Sequence, residues 1–545
     1  MNKIKTIKLS INGMTCDSCA KGIEKNIATL KGITTNNVNY TNSEGIFTFD
    51  ETITSKDKII KEIEKSGHYK VTNTKNSHYD LIIIGGGSAA FSAAIKAESL
   101  GLTTLMVNAG LDFGGTCVNV GCVPSKNLIR AAETAYHATH SNFKGVKPKG
   151  VDIDFKQIIT DKKQLVATLQ QQKYFDVVSN FKYLTMLKGW AEFIDKKTIQ
   201  VNGKHKYTAL KFIIATGATT NIPTIEGLSE VGYLTNVSLF DLEEKSKSFT
   251  IMGAGYIGLE IAQAYSRLGV KVRIIEFTDR PLRSQTSDIT DILVSQFKSE
   301  GIEVLPNYRA FKFEKSGSDT IIHCNCPDGS TTQLVEKGYI VVATGTKPNT
   351  SKLRLENIDL KLTERGHIIV NDKMETNRSH IYAAGDVTNT PAFVYTAAAE
   401  GNTAATNAFT GDNKSVDYAS LPWVVFTDPQ IAGAGIDEVQ AEVQGIPFEV
   451  STLDLNHVPR ALAAQDTRGF IKLIRNTETD KLIGARVIAP EGGELIQQLS
   501  MAIKFGITVK DLAESFYPYL TLGEGIKLAA ITFGKDVSKL SCCAS

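Results

Sequence analysis

A chain of 545 residues is long enough for several hydrophobic cores, and its near-balanced charge, 60 basic against 58 acidic side chains, excludes an acidic tail or a broad cationic face for nucleic acid. No uninterrupted apolar run reaches membrane-spanning length, so no membrane insertion is expected. The eight cysteines fall into four close pairs, Cys16/Cys19, Cys117/Cys122, Cys324/Cys326 and Cys542/Cys543, and Met1–Leu9 lacks the apolar core of a signal peptide. The chain is therefore expected to be cytoplasmic, and close pairing of cysteines there points to metal or redox chemistry rather than to a disulfide framework.

Residues 1–72 read as a small domain. Ile4 to Leu9 alternates like a strand, Gly13-Met14-Thr15-Cys16-Asp17-Ser18-Cys19-Ala20 reads as a loop, and a helical pattern runs from Cys19 to Leu30. Short strands at Val38–Tyr40 and Gly45–Phe49, a helix from Lys58 to Ser66 and a last strand at Tyr69–Val71 complete a ferredoxin-like βαββαβ order. Cys16 and Cys19 can place two thiolates on one side of a soft ion. The segment resembles a heavy-metal-associated domain, and the resemblance makes Cys16 and Cys19 its metal ligands. Residues 73–78 are polar and read as a linker.

The apolar strand Tyr79–Ile84 leads into Gly85-Gly86-Gly87-Ser88-Ala89-Ala90, a helix to about Leu100, and a second strand at Thr103–Val107. This is the strand–turn–helix–strand context of a dinucleotide fingerprint. Gly85 suits the tight turn, Gly87 the approach of a pyrophosphate, and Ala90 close helix–strand packing. Asn108 stands where an acidic residue commonly holds a ribose, so that contact is expected without charge.

Gly114-Gly115-Thr116-Cys117-Val118-Asn119-Val120-Gly121-Cys122-Val123-Pro124-Ser125-Lys126 follows at once. Thiols near a helix N-terminus are favoured as thiolates, the reactive form. By spacing alone the two cysteines are a reversible disulfide or two buried structural thiols. The compound of nucleotide turn, Gly-Gly-Thr-Cys-x4-Cys and Lys126 resembles the flavoprotein disulfide reductases from Tyr79 to the C-terminus. That resemblance implies FAD in the first site, with Cys122 against the flavin, Cys117 toward substrate, and Lys126 stabilising charge on the flavin. It adds Gly110, Thr116, Ala191, Asp386 and Val394 to the flavin contacts, Asp386 through the ribityl chain. Asp386 also reads as a possible cap for the helix after Thr396. Gln164 to Tyr183 reads as one long amphipathic helix.

A second fingerprint, Gly253-Ala254-Gly255-Tyr256-Ile257-Gly258, follows the strand Ser248–Met252 and opens a helix read from Leu259 to Leu268. Two fingerprints imply two dinucleotides with electrons passing between them. The resemblance assigns this one to NAD(P)H and pairs Glu260 with Lys126. Glu276, ending the next strand, favours a ribose diol and hence NADH, while Arg280 and Arg283 could cradle a phosphate. The family habit inclines the expectation to NADPH. Cys324 and Cys326 lie in a strand and turn where alternation would put both thiols on one face, but His323 with two thiols gives too few metal ligands.

The expected division is 79–219 and 349–419 for FAD, 220–348 for NAD(P), and 420–545 for an α+β dimerisation domain with an isologous homodimer. Family members that reduce disulfides carry a His-Pro-Thr segment near the C-terminus, with a glutamate orienting the histidine. Here Tyr517 stands in the histidine's place, Glu524 keeps the glutamate's, and no histidine occurs after His457. A phenol is a poor base at neutral pH.

The chain ends Ser541-Cys542-Cys543-Ala544-Ser545. Tyr517-Pro518-Tyr519 and the Cys542-Cys543 tail resemble the mercuric reductase branch of the family. That resemblance implies Hg(II), delivered as thiolates, as the substrate, with Cys542 and Cys543 capturing the ion and passing it to Cys117 and Cys122 of the other subunit. Tyr519 and Tyr174 are expected to assist, or else to be packing residues. The rival readings are a dihydrolipoamide-type disulfide reductase and a non-enzymatic soft-metal-binding protein.

Overall fold

A computed structural model describes residues 3–14, 16–40, 44–66, 69–72 and 77–536. The Cys542-Cys543 pair lies outside the described residues. The chain forms two compact units, 1–123 with 163–219 and 346–416, and 124–162 with 220–345 and 417–545.

The first unit contains the N-terminal βαββαβ segment. Its four-stranded sheet pairs Ile4–Asn12 with Glu44–Asp50 and Lys70–Thr72, and Glu44–Asp50 with Ile33–Asn39, all antiparallel. Leu9, Ile11, Ile23, Ile27, Phe47, Phe49 and Ile59 close the core, each at most 2% exposed. The helices run Asp17–Ala28 and Lys56–Glu64, both starting two residues earlier than their patterns suggest. The C-x-x-C is therefore not a loop. Cys16 is the extended cap residue and the amide of Cys19 already bonds its carbonyl at 3.0 Å, so Cys19 belongs to the first turn, where Asp17 complements the helix dipole.

The same unit holds a seven-stranded sheet whose parallel part orders Leu184–Lys188, Thr104–Asn108, His78–Ile84 and His205–Ile214, with Ile381–Ala383 pairing the last of these. The central strand reads Leu81-Ile82-Ile83-Ile84 because both faces are covered. The helices Ser88–Ser99 and Val394–Phe409 meet through small residues: a Cβ on Gly401 would stand 2.1 Å from the carbonyl oxygen of Ala89, and Ser92 donates to the carbonyl of Ala398 at 2.6 Å. The helix expected over Gln164–Tyr183 runs Phe155–Gln170, loosens into a π turn at Gln171–Phe175 and stops at Val178. The wider turn carries Tyr174, which packs inward against Phe91.

In the second unit a four-stranded parallel sheet orders Glu303–Pro306, Lys271–Glu276, Ser248–Met252 and Tyr339–Val342. A three-stranded antiparallel sheet follows from Arg309–Ser316, Asp319–Asn325 and Thr331–Glu336. Cys324 is on its middle strand and fully buried, whereas Cys326 lies beyond the strand end, half-buried, with its amide turned to Ser330. Although the strand ends at Asn325, the two thiols remain neighbours, since Cys326 adds to the burial that raises the Cys324 thiol. The five-stranded antiparallel sheet of the C-terminal segment has the order Trp423–Val425, Gln430–Gly435, Leu482–Ala489, Phe470–Asn476 and Phe448–Asp454, with the helices Gly492–Phe505 and Glu524–Ile531 completing its core. No helix among the described residues is long and apolar enough to cross a membrane.

Candidate active site

The first glycine turn separates two uses of glycine. At Gly85 (φ +133°) a Cβ would lie 2.1 Å from the Ala215 carbonyl oxygen, so the fold itself requires the absence of a side chain. At Gly87 the nearest atom to such a Cβ is 3.7 Å away, so the protein's own packing does not explain that glycine. An open backbone at the start of the helix Ser88–Ser99, with its unpaired amides, fits a pyrophosphate. Ala90 is fully buried behind it.

The thiol-bearing helix is fastened to this turn. Gly114 donates its amide to Gly86 at 2.7 Å, and Gly115 sits so close to Gly87 that a Cβ there would be 2.6 Å from the Gly87 Cα. Asn119 holds the helix from within, donating to the carbonyls of Asp112 and Gly115, both at 2.9 Å, and Gln170 donates to the Asn119 amide oxygen at 3.1 Å. Cys117 lies in the short helix Gly115–Val120 and Cys122 opens the helix Cys122–Thr139, both thiols half-buried. Thr116 is exposed on the short helix. Tyr174 lies edge-on to Phe91 with ring centroids 4.9 Å apart and its hydroxyl bonded to Ser88. Burial raises the Tyr174 phenol above its ordinary range, and the neighbouring Cys117 and Cys122 add to the effect, so the geometry brings Tyr174 and both thiols together.

The other residues expected around the first nucleotide sit on the same sheet. Asn108 ends the strand Thr104–Asn108, buried against Gly86, and donates to the carbonyl of Leu111 at 2.8 Å. Gly110 (φ +83°) is exposed in the following loop, and Ala191 is buried at the start of its strand. Val394 begins the helix Val394–Phe409. Asp386 does not cap this helix: Phe393 is the cap residue, and the Thr396 hydroxyl accepts its amide at 3.1 Å. Asp386 follows Gly385 at the sheet edge, where desolvation and the nearby Glu400 carboxylate raise its acid range. Glu400 is completely buried and accepts the Gly385 amide at 2.6 Å, fixing the turn that presents Asp386. Among the described residues no side-chain hydrogen bond to the Asp386 carboxyl is seen, which suits it to a hydroxyl-rich chain. These residues fit FAD.

In the second unit Gly253 and Gly258 are excluded from bearing side chains by carbonyl oxygens at 2.5 and 2.1 Å, whereas a Cβ on Gly255 meets nothing within 4 Å. The open position at Gly255 again has room for a pyrophosphate. The helix Tyr256–Arg267 begins here, ahead of the expected Leu259, and carries Glu260. Lys126, one helical turn beyond Cys122 on the same helix, places Nζ 2.8 Å from Glu260 Oε2. Glu276 ends its strand with both carboxylate oxygens bonded inside the domain.

Cys16 and Cys19 present their sulfurs 3.7 Å apart, and among the described residues no cluster of three or more His, Cys, Asp or Glu could hold a metal. A two-sulfur site suits a soft ion. Tyr69, pushed up to about 12 by burial and by its hydrogen bond to Cys19, backs this pair. Tyr519 is 58% exposed. Tyr517 is half-buried, and burial raises its phenol further. Glu524 is buried at the start of its helix, and among the described residues its Oε2 has no hydrogen-bond partner.

Sequence reasoning missed four supporting residues: in the first unit Ser88 on Tyr174, Glu400 on Gly385 and Tyr69 on Cys19, and in the second Phe426 on Lys126 and Glu260. Glu400 alone left a local signal, a single acid within the small-residue run Thr396-Ala397-Ala398-Ala399-Glu400-Gly401.

The pyridine nucleotide-disulphide oxidoreductase family matches residues 79–401, its dimerisation domain matches 421–530, and the heavy-metal-associated domain matches 8–69. The mercuric reductase of Lysinibacillus sphaericus is 38% identical over 557 positions, covering 100% of both chains. That of Staphylococcus aureus is 38% identical over 98% of this chain and 99% of its own, and that of Streptomyces lividans 40% over 86% and 98%. Among solved structures, the Cu(II) complex of the flavoprotein disulfide reductase RclA from Escherichia coli superposes with a TM-score of 0.75 at 26% identity, over 84% of this chain and 100% of that one. LpdA from Mycobacterium tuberculosis gives 0.74 at 27%, with the same coverage. Identity of this extent along entire chains makes this protein a member of the mercuric reductases, within the pyridine nucleotide-disulphide oxidoreductase family.

Proposed function

We propose that this chain reduces Hg(II) to Hg(0) with NAD(P)H, as a cytoplasmic homodimeric flavoenzyme of mercury detoxification. The balance is NAD(P)H plus Hg(II) giving NAD(P)⁺, H⁺ and Hg(0). The observation that carries the reading is a chain with a Cys117/Cys122 pair and no histidine after His457 to serve as the dithiol base. In sequence Tyr517 takes the histidine's place, with a phenol shifted further from neutrality, and the buried Glu524 carboxylate has one oxygen without a partner among the described residues. Dithiol oxidation needs a base to take up thiol protons, whereas reduction of a thiolate-bound metal does not.

Gly85, Gly87, Ala90, Asn108, Gly110, Thr116, Ala191, Asp386 and Val394 hold FAD in this reading, and Gly253, Gly255, Gly258 and Glu276 hold the nicotinamide nucleotide. FAD, when bound, accepts a hydride and releases two electrons. Cys117 and Cys122 act as a dithiolate clamp, since soft sulfur ligands outcompete nitrogen and oxygen for Hg(II). Lys126, kept in place by Glu260, supplies positive charge beside the flavin. Tyr174 and Tyr519 support ligand exchange at the clamp. Hg(II) arrives as thiolates, is captured by Cys542 and Cys543 of one subunit and passes to Cys117 and Cys122 of the other, while Cys16 and Cys19 collect the ion upstream.

Mercury-dependent oxidation of NAD(P)H by the FAD-loaded enzyme tests this directly. Activity should vanish in Cys117→Ala, fall sharply in Cys542→Ala/Cys543→Ala, and survive in Cys16→Ala/Cys19→Ala with small mercury thiolates. Turnover of a dithiol–disulfide couple at a rate matching or exceeding that with Hg(II) would overturn it.

A further inference from the structure

The inference concerns which nicotinamide nucleotide enters the second glycine turn, and it rests on reading that turn as the nucleotide site. Glu276 is only 6% exposed at the end of the strand Lys271–Glu276. Its Oε2 accepts the amide of Ala254, inside the glycine turn, at 2.7 Å. Its Oε1 accepts the amide and the hydroxyl of Thr278, each at 2.8 Å. The backbone beneath is fixed as well, since the Glu276 carbonyl takes the Tyr308 amide at 2.9 Å. The carboxylate is thus locked onto the turn, with an acceptor position of Oε2 still open.

Of the two arginines that could welcome a phosphate, Arg280 is engaged within its own loop. Arg280 donates from Nη1 to Asp279 at 2.9 Å and from Nη2 to the carbonyl of Gln285 at 3.1 Å, and its Nε is buried. Arg283 faces Asp279 at 3.7 Å and is otherwise solvated, its side chain 69% exposed. Among the described residues no basic group forms an ion pair with Glu276. A ribose diol can donate to the open position on Oε2. A 2′-phosphate brings only acceptors and a like charge to a desolvated carboxylate that no cation compensates.

We propose that Glu276 makes this enzyme select NADH over NADPH, and that Arg280 staples its own loop and does not recognise phosphate. The preference runs against the family habit that inclines the sequence reading toward NADPH.

The test is equilibrium titration of the oxidised FAD-loaded enzyme with NAD⁺ and NADP⁺ by calorimetry, without mercury. NAD⁺ should bind roughly ten- to one-hundred-fold more tightly, the range of a hydrogen bond to a charged group. Glu276→Gln should narrow that ratio mainly by weakening NAD⁺, with an unchanged thermal midpoint confirming its fold. Arg280→Gln should leave NADP⁺ affinity within about two-fold. Equal or tighter binding of NADP⁺ by the wild type, which needs no variant, overturns the proposal. So does a ten-fold loss of NADP⁺ affinity in Arg280→Gln. Because mercury is absent, a failure here is distinct from a failure of the mercury assay: NADPH-specific enzyme that reduces Hg(II) refutes only this inference.

Discussion

Lys126 and Glu260 face each other at 2.8 Å, and Phe426 secures both partners: its amide donates to the other Glu260 oxygen at 3.0 Å, and its ring lies 4.3 Å beneath the Lys126 ammonium. The segment carrying Phe426 is itself tied to the same helix. Gln263 exchanges two hydrogen bonds with the backbone of Asp428, at 2.7 and 2.8 Å, and Arg267 pairs with Asp428 at 2.9 Å.

Removing the Glu260 carboxylate should therefore strand an amide and an ammonium together. Glu260→Leu is expected to lose about 1–3 kcal/mol of stability, reduced from the buried-pair figure because Lys126 is partly solvated. Glu260→Gln, which can still accept the Phe426 amide, should lose less. Thermal unfolding of both variants checks the order, and equal losses would show that the Phe426 contact contributes little.

The contrast between Gly85 and Gly87 predicts opposite defects. Gly87→Ala should fold with a thermal midpoint near that of the wild-type apoprotein but retain little flavin on purification. Gly85→Ala should fail to accumulate as folded protein, because its Cβ meets a carbonyl oxygen at 2.1 Å in a left-handed conformation. Flavin absorbance relative to protein, together with solubility, separates the two outcomes.

Tyr174→Phe keeps the edge-on ring contact with Phe91 and deletes only the hydroxyl bonded to Ser88. Stability should change by no more than about 1 kcal/mol. If the hydroxyl assists ligand exchange at the thiols, single-turnover reduction of bound Hg(II) should slow several-fold. An unchanged rate would leave Tyr174 a packing residue. Because burial raises its phenol, Tyr174 should add no ionisation to a pH profile near neutrality.

Cys324, enclosed by Met252, Ile275, Phe313 and Ile322, is pushed up to about 11 by burial. Its folded state holds the proton more tightly than the unfolded chain. The stability this contributes is complete below the ordinary thiol range and drains away as pH rises from about 9 through about 11. Cys324→Val should flatten that alkaline decline, read as thermal midpoint against pH. Native alkylation near neutral pH should label Cys326 and spare Cys324 until the protein is unfolded.

The features legible in the sequence are those whose chemistry is written in neighbouring residues. Gly85-x-Gly87 and Gly253-x-Gly255 announce nucleotide turns, because a strand, a turn and a helix N-terminus follow one another along the chain. Cys117, Cys122 and Lys126 share one local run, and Cys16 with Cys19 share one helical turn. Helix starts were less legible, since a cap residue such as Cys16 becomes one only through backbone geometry. Other features depend on segments that folding alone brings together. Tyr174 reaches the thiols because a π turn widens its helix, Glu400 fixes Gly385 from fifteen residues on, and Phe426 meets Lys126 from the loop after the strand Trp423–Val425. The sequence by itself determined which chemistry the chain carries, because nucleotide turns and thiol pairs are short-range patterns. Only the tertiary structure decided what surrounds each charge, that among the described residues no cation pairs with the Glu276 carboxylate locked on its turn and no donor reaches Glu524 Oε2, because burial and hydrogen-bond partners are set by residues far apart in the chain.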